Sequence, residues 1–377
     1  MDTSNYKSKW NAWKNRANTL YKSLSPERVL LFWALVAISV VLIFSAFVVF
    51  NNKFLITTPA HGGSVSEGII GTPRFINPIL ATSEQDKDLT ALVYAGLTKK
   101  DNDGHTILDM AQSIEKNDDQ LHYNVVIKND AKFHDGKPVT ADDIIYTISL
   151  IQNPSIKSPH RVKWEGVTIE KQNDKEITFS LKKPFPQFMD VLTTGILPKH
   201  VWKNLTDEQI SLSDYNIRAI GSGPYEISDI TTNSGIPETF TLKAFKHYTL
   251  GRPYIDEITI YTYQNEKYLI QAFQNSDIDR IHGISPEKVD NLSIATSSIH
   301  TSLLPRTFAV FFNPNKSSVL SDKNVRTALQ MAIDKQAIVN TVLHNYGKVI
   351  NDPYPFDEDV TPSVYNVDKA RELLSKN

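Results

Sequence analysis

Residues Ala131 to Ile148 read AKFHDGKPVTADDIIYTI, and the passage divides in its middle. Phe133-His134-Asp135-Gly136 sets a histidine beside a carboxylate, a pairing that acid–base chemistry uses. The Asp-Gly pair favours a turn instead, because glycine tolerates a left-handed backbone and aspartate bonds to its own backbone two residues on. That turn would join a strand ending near Phe133 to a helix opened by Thr140. Asp142 and Asp143 fall in the first turn of the helix, where negative charge faces unpaired N–H groups, and Ile144, Ile145, Ile148 and Ile151 line one side. Strand, turn and amphipathic helix in one short passage imply a mixed α/β body.

The same alternation runs outward in both directions. Tyr123 to Ile127 is rich in β-branched residues, Thr178 to Leu181 alternates near Val167 and Ile169, and Glu257 to Tyr263 reads EITIYTY with period two. These are expected strands. Asp322 to Leu343 carries Val325, Leu329, Ala332, Ile333 and Ile338 at helical spacing. The body is too long for one compact core and should divide into lobes. It has no internal repeat and no low-complexity tract.

Ahead of the body lies Val29 to Phe50, VLLFWALVAISVVLIFSAFVVF, an uncharged run. Its 22 residues would span about 33 Å as a helix, enough for a hydrocarbon core of about 30 Å. Lys7, Lys9, Lys14, Arg16, Lys22 and Arg28 precede it against Asp2 and Glu27, so residues 1–28 read as a cytoplasmic basic tail and the body as extracytoplasmic. A cleaved signal would have a shorter apolar region ending in small residues, whereas this one ends in Phe47-Val48-Val49-Phe50. The run reads as an uncleaved signal anchor, a single-pass transmembrane helix. Residues 51–63, with Pro59 and Gly62-Gly63, read as a linker.

Composition narrows the function. With 22% charged residues and a net charge of -2 there is no basic excess for nucleic acid, and zero cysteines exclude disulfides, thiol catalysis, thiolate metal sites and a lipid-modified cysteine. No G-x-x-x-x-G-K-[ST] cradles a phosphate, and no H-E-x-x-H forms a zinc helix. His61-Gly62-Gly63 faintly suggests an esterase oxyanion loop, but no G-x-S-x-G supplies a nucleophile. No catalytic residue, cofactor or metal site is assigned. A membrane-anchored hydrolase is the remote alternative, for which the spacing identifies no nucleophile, base and acid.

The run Ala131 to Ile148 resembles the signature of the family 5 solute-binding proteins of ABC importers, the group of oligopeptide, dipeptide and nickel receptors. Further stretches resemble the family in its order: Leu181 to Phe188 (LKKPFPQF), Ile196 to His200 (ILPKH), Gly221 to Tyr225 (GSGPY), Gly251 to Ile258 (GRPYIDEI), Ala272 to Asp279, and Phe312-Asn313 leading to Asn324 to Asp334 (NVRTALQMAID). In GSGPY the glycines permit backbone geometry closed to other residues and Pro224 fixes φ before Tyr225 begins a strand. Arg326 and Asp334 are too far apart on a helix to pair directly, and read as framework residues.

The resemblance implies a two-lobed periplasmic-binding-protein-like fold (type II) with an extra subdomain, closing on an extended peptide held largely through its main chain. It implies lobe I from 64–97 and 198–262, the additional subdomain from 98–197 and lobe II from 263–377, with a hinge near Tyr263. Pro362 to Leu374 resembles a helix inside the second lobe, after which family members continue well beyond a hundred residues. The second lobe is thus expected to be incomplete, the chain to be C-terminally truncated, and no position here to receive the peptide's amino terminus. The implied partners are short peptides, ABC permease and ATPase subunits, and the membrane through residues 29–50. The alternatives are a tethered sensor without import and a receptor for nickel complexes, where metal would be held by histidine or an external chelator. For ligand contact the resemblance points to Asn77, Thr193, Thr194 and Gly195 on one side of the cleft, and to Phe308 and Asn313 on a strand of the other.

Overall fold

The structure, a computed structural model, describes residues 10, 13–16, 19, 25–54, 59–289, 292, 299–301, 307–350 and 364–375. Lys7, Lys9 and Lys22 of the basic tail, residues 55–58 of the expected linker, and Pro362 and Ser363 of the last motif lie outside the described residues. There are two compact units, Met1–Ala60 and His61–Asn377. In the first, helix α1 runs Pro26–Phe54. Proline suits a helix start because its missing N–H needs no partner there, while Glu27 and Lys53 match the two ends of the helix dipole. Within Pro26–Asn51 an 18-residue window reaches a mean hydropathy of 2.8 and contains no buried residue. The helix is long and apolar enough to cross a membrane, and it overruns the expected span 29–50 at both ends.

The second unit begins with β1 (Ser64–Ile70), α2 (Glu84–Val93), β2 (Thr98–Lys100), β3 (Thr106–Leu108), β4 (Ala111–Lys116) and β5 (His122–Ile127). It continues with α3 (Ala141–Gln152), β6 (Thr168–Asn173), β7 (Glu176–Ser180), β8 (Tyr225–Asn233), β9 (Ile236–Ala244) and β10 (Glu257–Tyr263). Then come α4 (Glu266–Gln274), β11 (Arg280–Ile281), α5 (Lys323–Met331), α6 (Lys335–Val342) and α7 (Val367–Ser375), with short helical turns between these elements. One sheet has the order β11-β1-β10-β9-β8, a second β4-β5-β7-β6, and β2-β3 form a hairpin. In the first sheet β1 runs parallel to β10 and β11. Parallel neighbours need a crossover, and the excursion between β1 and β10 carries the whole second sheet.

Alternation in sequence becomes alternation in burial. Tyr123, Val125 and Ile127 on β5, Ile177 and Phe179 on β7, and Ile258 and Ile260 on β10 are buried, and all seven join one continuous core with Trp164, Trp202 and Phe188.

Beyond Tyr263, α4 and β11 return to the first sheet: Leu269, Ala272 and Ile278 pack against Ile70, Tyr261 and Tyr263, and Glu67 and Gly68 pair with Arg280 and Ile281. Two expectations change. The helix expected over 322–343 divides into α5 and α6, since Asp334 turns its Oδ1 to the Ala337 N–H (2.8 Å) and starts a new helix. Arg326 donates to the carbonyls of Leu320 (2.7 Å) and Ser321 (2.9 Å), so both charged residues do serve the local framework. Residues 307–313 form no strand. A strand exists only where another supplies its hydrogen bonds, and none among the described residues pairs with them.

The motif around His134 is the knot of the body. Gly136 takes φ +83° and its N–H donates to Phe133 (2.9 Å), giving the turn expected of Asp-Gly. His134 donates its main-chain N–H to the Gly221 carbonyl (2.8 Å), its Nδ1 accepts the Gly221 N–H (3.2 Å), and its Nε2 donates to the Gly223 carbonyl (3.2 Å). Gly221 and Gly223 are not in the left-handed region, so the expected reason for these glycines is replaced by another. A Cβ on Gly221 would stand 2.0 Å from the Val93 carbonyl oxygen, and one on Gly223 2.6 Å from the Val93 carbonyl carbon. They are glycines because the end of α2 lies against them. Asp135 meanwhile accepts His200 Nε2 (2.6 Å), and the edge of Phe133 meets the same ring. The histidine–carboxylate pair is structural.

Burial pushes the His134 imidazole down to about 4, outweighing the Gly223 bond and Asp135, which act to raise it. The unfolded chain takes that proton near pH 6.5, so it binds more protons than the folded one between those values. The stability held by neutral His134 is complete above pH 6.5 and is lost as pH falls towards 4, by up to roughly 3 kcal/mol. Urea midpoints of wild type and His134→Gln measured from neutral pH downward should converge along this limb, because glutamine keeps the donor and acceptor but cannot charge. A difference that stays constant with pH would mean that the imidazole protonates freely in the fold.

Candidate functional site

The segment after β1 is fixed from below. Asp86, at the third position of α2 and 3% exposed, accepts the N–H groups of Arg74 (2.7 Å) and Phe75 (3.0 Å) on one oxygen and that of Ser83 (3.4 Å) on the other. Ser83 answers by accepting the Asp86 N–H (3.2 Å), a capping box. Ile76 donates its N–H to the Asn216 carbonyl (2.7 Å). Asn77 is fully buried: its Nδ2 donates to Asn216 Oδ1 (2.9 Å) and its Oδ1 accepts the Ile79 N–H (3.0 Å). Asn77, expected to meet a ligand, thus has both amide atoms engaged within the protein. Its amide holds the segment in shape and reaches no surface.

Helix α3 repeats the arrangement. Asp143, again at the third position and buried, accepts the N–H (2.9 Å) and hydroxyl (2.8 Å) of Thr140 on one oxygen, and on the other the Lys199 N–H (2.8 Å). One turn on, Thr147 Oγ1 donates to the Asp143 carbonyl (2.7 Å) and accepts the Leu197 N–H (2.9 Å). Pro198 between them has no N–H, so the backbone donors of the Leu197–Lys199 crossing all end on α3.

These two supports bring Thr193, Thr194 and Gly195 against the segment of Asn77. A Cβ on Gly195 would lie 2.7 Å from the Tyr94 Cβ and 3.0 Å from the Pro78 Cβ, and Ile196 donates its N–H to the Ala95 carbonyl (3.0 Å). Thr193 and Thr194 are partly exposed, and their hydroxyls donate to the carbonyls of Asp190 (2.7 Å) and Val191 (2.8 Å), which leaves each hydroxyl oxygen its acceptor lone pairs. Tyr94 is buried with no hydrogen-bond partner for its hydroxyl, and burial raises its pKa. Ser222, within GSGPY, is also buried with its hydroxyl unpartnered.

Phe308 and Asn313 are exposed. Phe308 stands 78% open, and Asn313 Oδ1 accepts the Asn315 N–H (3.0 Å) at the start of a turn. No hydrogen bond, ion pair or ring contact among the described residues joins either of them to the Thr193–Gly195 group. Gly195 thus adjoins Pro78, next to Asn77, while Phe308 and Asn313 share no such bond with this group among the described residues. Tyr94 and Asn216 were missed. Asn216 carries no local signal, whereas the capping box Ser83-x-x-Asp86 was legible in sequence. Asp101, Asp103 and His105, in the β2–β3 turn, have ligand atoms within 4.8 Å of one another. Asp101 Oδ1 accepts the N–H groups of Asp103 (3.0 Å) and His105 (2.8 Å), so the turn accounts for the grouping.

Residues 105–377 match the family described as "Bacterial extracellular solute-binding proteins, family 5 Middle". The chain belongs to this family. Family 5 comprises solute-binding receptors, not enzymes, and works outside the cytoplasm. The chain is 32% identical over 334 residues to the oligopeptide-binding protein AppA of Bacillus subtilis, covering 84% of this chain and 60% of that protein. The solved structure of that AppA, in complex with a nonapeptide, aligns with a TM-score of 0.64 at 31% identity over 85% of this chain and 64% of that one. NikZ from Campylobacter jejuni, solved with Ni(L-His), aligns with a TM-score of 0.66 at 28% identity, over 83% and 62% of the two chains. The fold is that of the type II periplasmic binding proteins. The chain spans about three fifths of the length of the curated relatives it matches.

Replacing Asn77 by Ala removes two buried side-chain bonds and leaves Asn216 Oδ1 and the Ile79 N–H without partners, an expected loss of about 2–4 kcal/mol. Thr193→Val at the open side should cost under about 1 kcal/mol. Urea unfolding of both variants distinguishes the supporting residue from the surface one; comparable losses would place Thr193 in the framework as well.

Proposed function

We propose that this protein captures short peptides outside the cytoplasm by closing a cleft on their main chain, and passes them to the permease and ATPase of an ABC importer while α1 anchors it in the membrane. The observation that carries the reading is the partly exposed pair Thr193 and Thr194, seated over the buried residues 77–78, 94–96 and Gly195. It offers main chain and hydroxyl oxygens over a fully bonded support, and holds no nucleophile and base in reach of one another among the described residues. Main-chain recognition gives affinity with little demand on side chains. The similarity to AppA, solved with a nonapeptide, supports the ligand class. Asn77, Thr193, Thr194 and Gly195 would lie on one side of the cleft and Phe308 and Asn313 on the other. Mixed dipeptides to pentapeptides added to the detergent-solubilised chain in a calorimeter should bind with affinities that vary little with side-chain identity. Heat from a free sugar or amino acid, with none from peptides, would overturn the proposal.

A second reading is favoured by the similarity to NikZ, which was solved with a nickel complex of histidine. Without cysteine, such a metal would arrive in its own chelator. The same calorimetry with the nickel–histidine complex separates the two ligand classes. A sensor of the same fold that serves no importer would bind peptides identically, and would differ by purifying without permease and ATPase subunits.

Anchoring by α1 rests on its length, the mean hydropathy of 2.8 in its apolar window and the basic residues Lys14, Arg16 and Arg28 before the uncharged run. Membranes washed with high salt and then carbonate should retain the protein at full length. Release of a shortened soluble species would identify α1 as a cleaved signal.

A further inference from the structure

The chain leaves the first sheet through residues 279–285, and that passage is fastened at three points. Asp279 Oδ2 accepts the N–H (2.8 Å) and hydroxyl (2.7 Å) of Ser66, and Ser66 Oγ accepts the Asp279 N–H (2.9 Å). Ser285 donates its N–H and hydroxyl to Glu266 at the start of α4. Between them His282 follows directly on β11, its Nδ1 2.6 Å from Glu67 Oε1 of β1 and its Nε2 3.0 Å from Asp88 Oδ2 of α2. Both partners are carboxylates and accept only, so both ring nitrogens carry protons and the ring is an imidazolium. Of the three fastenings this one joins three elements, and it is the one that can lose its charge by giving up a proton.

We propose that Glu67, His282 and Asp88 form a charge latch that holds the departing strand β11 to the first sheet, so that movement of the following chain begins beyond Ser285, and that the latch opens when His282 is deprotonated. The charged groups facing the ring are Glu67 from β1 and Asp88 from α2; Lys87 of α2 turns to Glu84 (3.4 Å), and Arg280 of β11 acts on Asp279. The Asp88 and Glu67 hydrogen bonds raise the imidazole to about 10 against the opposing effect of burial. A folded-state value above the ordinary 6.5 makes the contribution complete below pH 6.5 and lost as pH rises through about 10. The ring is 45% exposed and Asp88 43%, so solvent screens the pair and the latch is weaker than a buried one. Its consequence for closure rests on the two-lobe reading of the function, but the latch itself does not depend on what the cleft holds.

Quenched-flow hydrogen exchange of the full chain in detergent, read by mass spectrometry and corrected for intrinsic rates, tests it without any ligand. At about pH 6.5, peptides covering 279–285 should open about tenfold more often in His282→Gln than in wild type, while peptides from β8 and β9 exchange alike. Towards about pH 10 wild type should rise to meet the variant, and the double variant Glu67→Gln, Asp88→Asn should show neither the protection nor its pH dependence. Equal protection of wild type and His282→Gln at about pH 6.5 overturns the proposal, as does a difference that persists unchanged to about pH 10. Should His282→Gln lose protection in β8 and β9, the double variant is judged by the same two criteria.

Discussion

His134 is held neutral between the Gly221 N–H and the Gly223 carbonyl, and the order of the body follows from that clamp. Its ring needs one nitrogen bare and one protonated, an arrangement that an imidazolium cannot supply. The two glycines it holds are pressed on the Val93 carbonyl at the end of α2, and Gly223 donates its N–H to the same oxygen (2.8 Å). Tyr94 follows at once and carries the chain to the face against Gly195. One buried side chain thereby sets the distance between the turn after Phe133, the entry to β8 and the end of α2. None of these segments could shift without leaving a buried donor or acceptor unpaired, and each such group costs about as much as the clamp contributes.

The two helix-capping aspartates do the same for the approaches to that face. A carboxylate at the third helical position normally serves its own cap. Asp86 and Asp143 use one oxygen so, and turn the other to a distant backbone: Arg74 and Phe75 in one case, Lys199 in the other. Asp109 is a third buried carboxylate with hydroxyl partners, Tyr248 at 2.9 Å and Thr249, and burial raises its pKa in spite of those bonds. Acidic residues that look solvent-facing in sequence are here internal acceptors. Their burial is tolerable because hydrogen bonds replace the water they lose.

What the sequence revealed was local. The Asp-Gly turn at 135–136, the helix opened by Thr140, and the strands over Tyr123–Ile127 and Glu257–Tyr263 each depend on residues within a few positions, and each formed. The partner of Asn77 lies 139 residues away and that of His134 Nδ1 lies 87 away, separations at which a single sequence carries no signal. The same limit explains β11. A strand of two residues has no periodicity, and it exists because the edge of β1 offers unpaired backbone at Glu67 and Gly68. Asp334 was legible as a framework residue but not as a helix breaker, because the apolar spacing ran on through it.

The site proposed around Thr193 and Thr194 was read through family resemblance, and the physical basis proposed for it differs from that of an enzyme. A catalytic centre declares itself by uncommon residue types at fixed separations, since proton transfer and nucleophilic attack need particular atoms in reach. A surface that binds main chain needs only main chain of its own, held at the right place by bonds behind it. Its distinguishing residues are therefore glycines that permit close approach and aspartates, asparagines and histidines that satisfy buried backbone, all of which read as ordinary turn chemistry in one dimension. Gly195, Asn77 and Asp143 act in this way. In the proposed reading, binding by such a face is written in the support beneath it, so the residues most informative about it in this chain are those of the support.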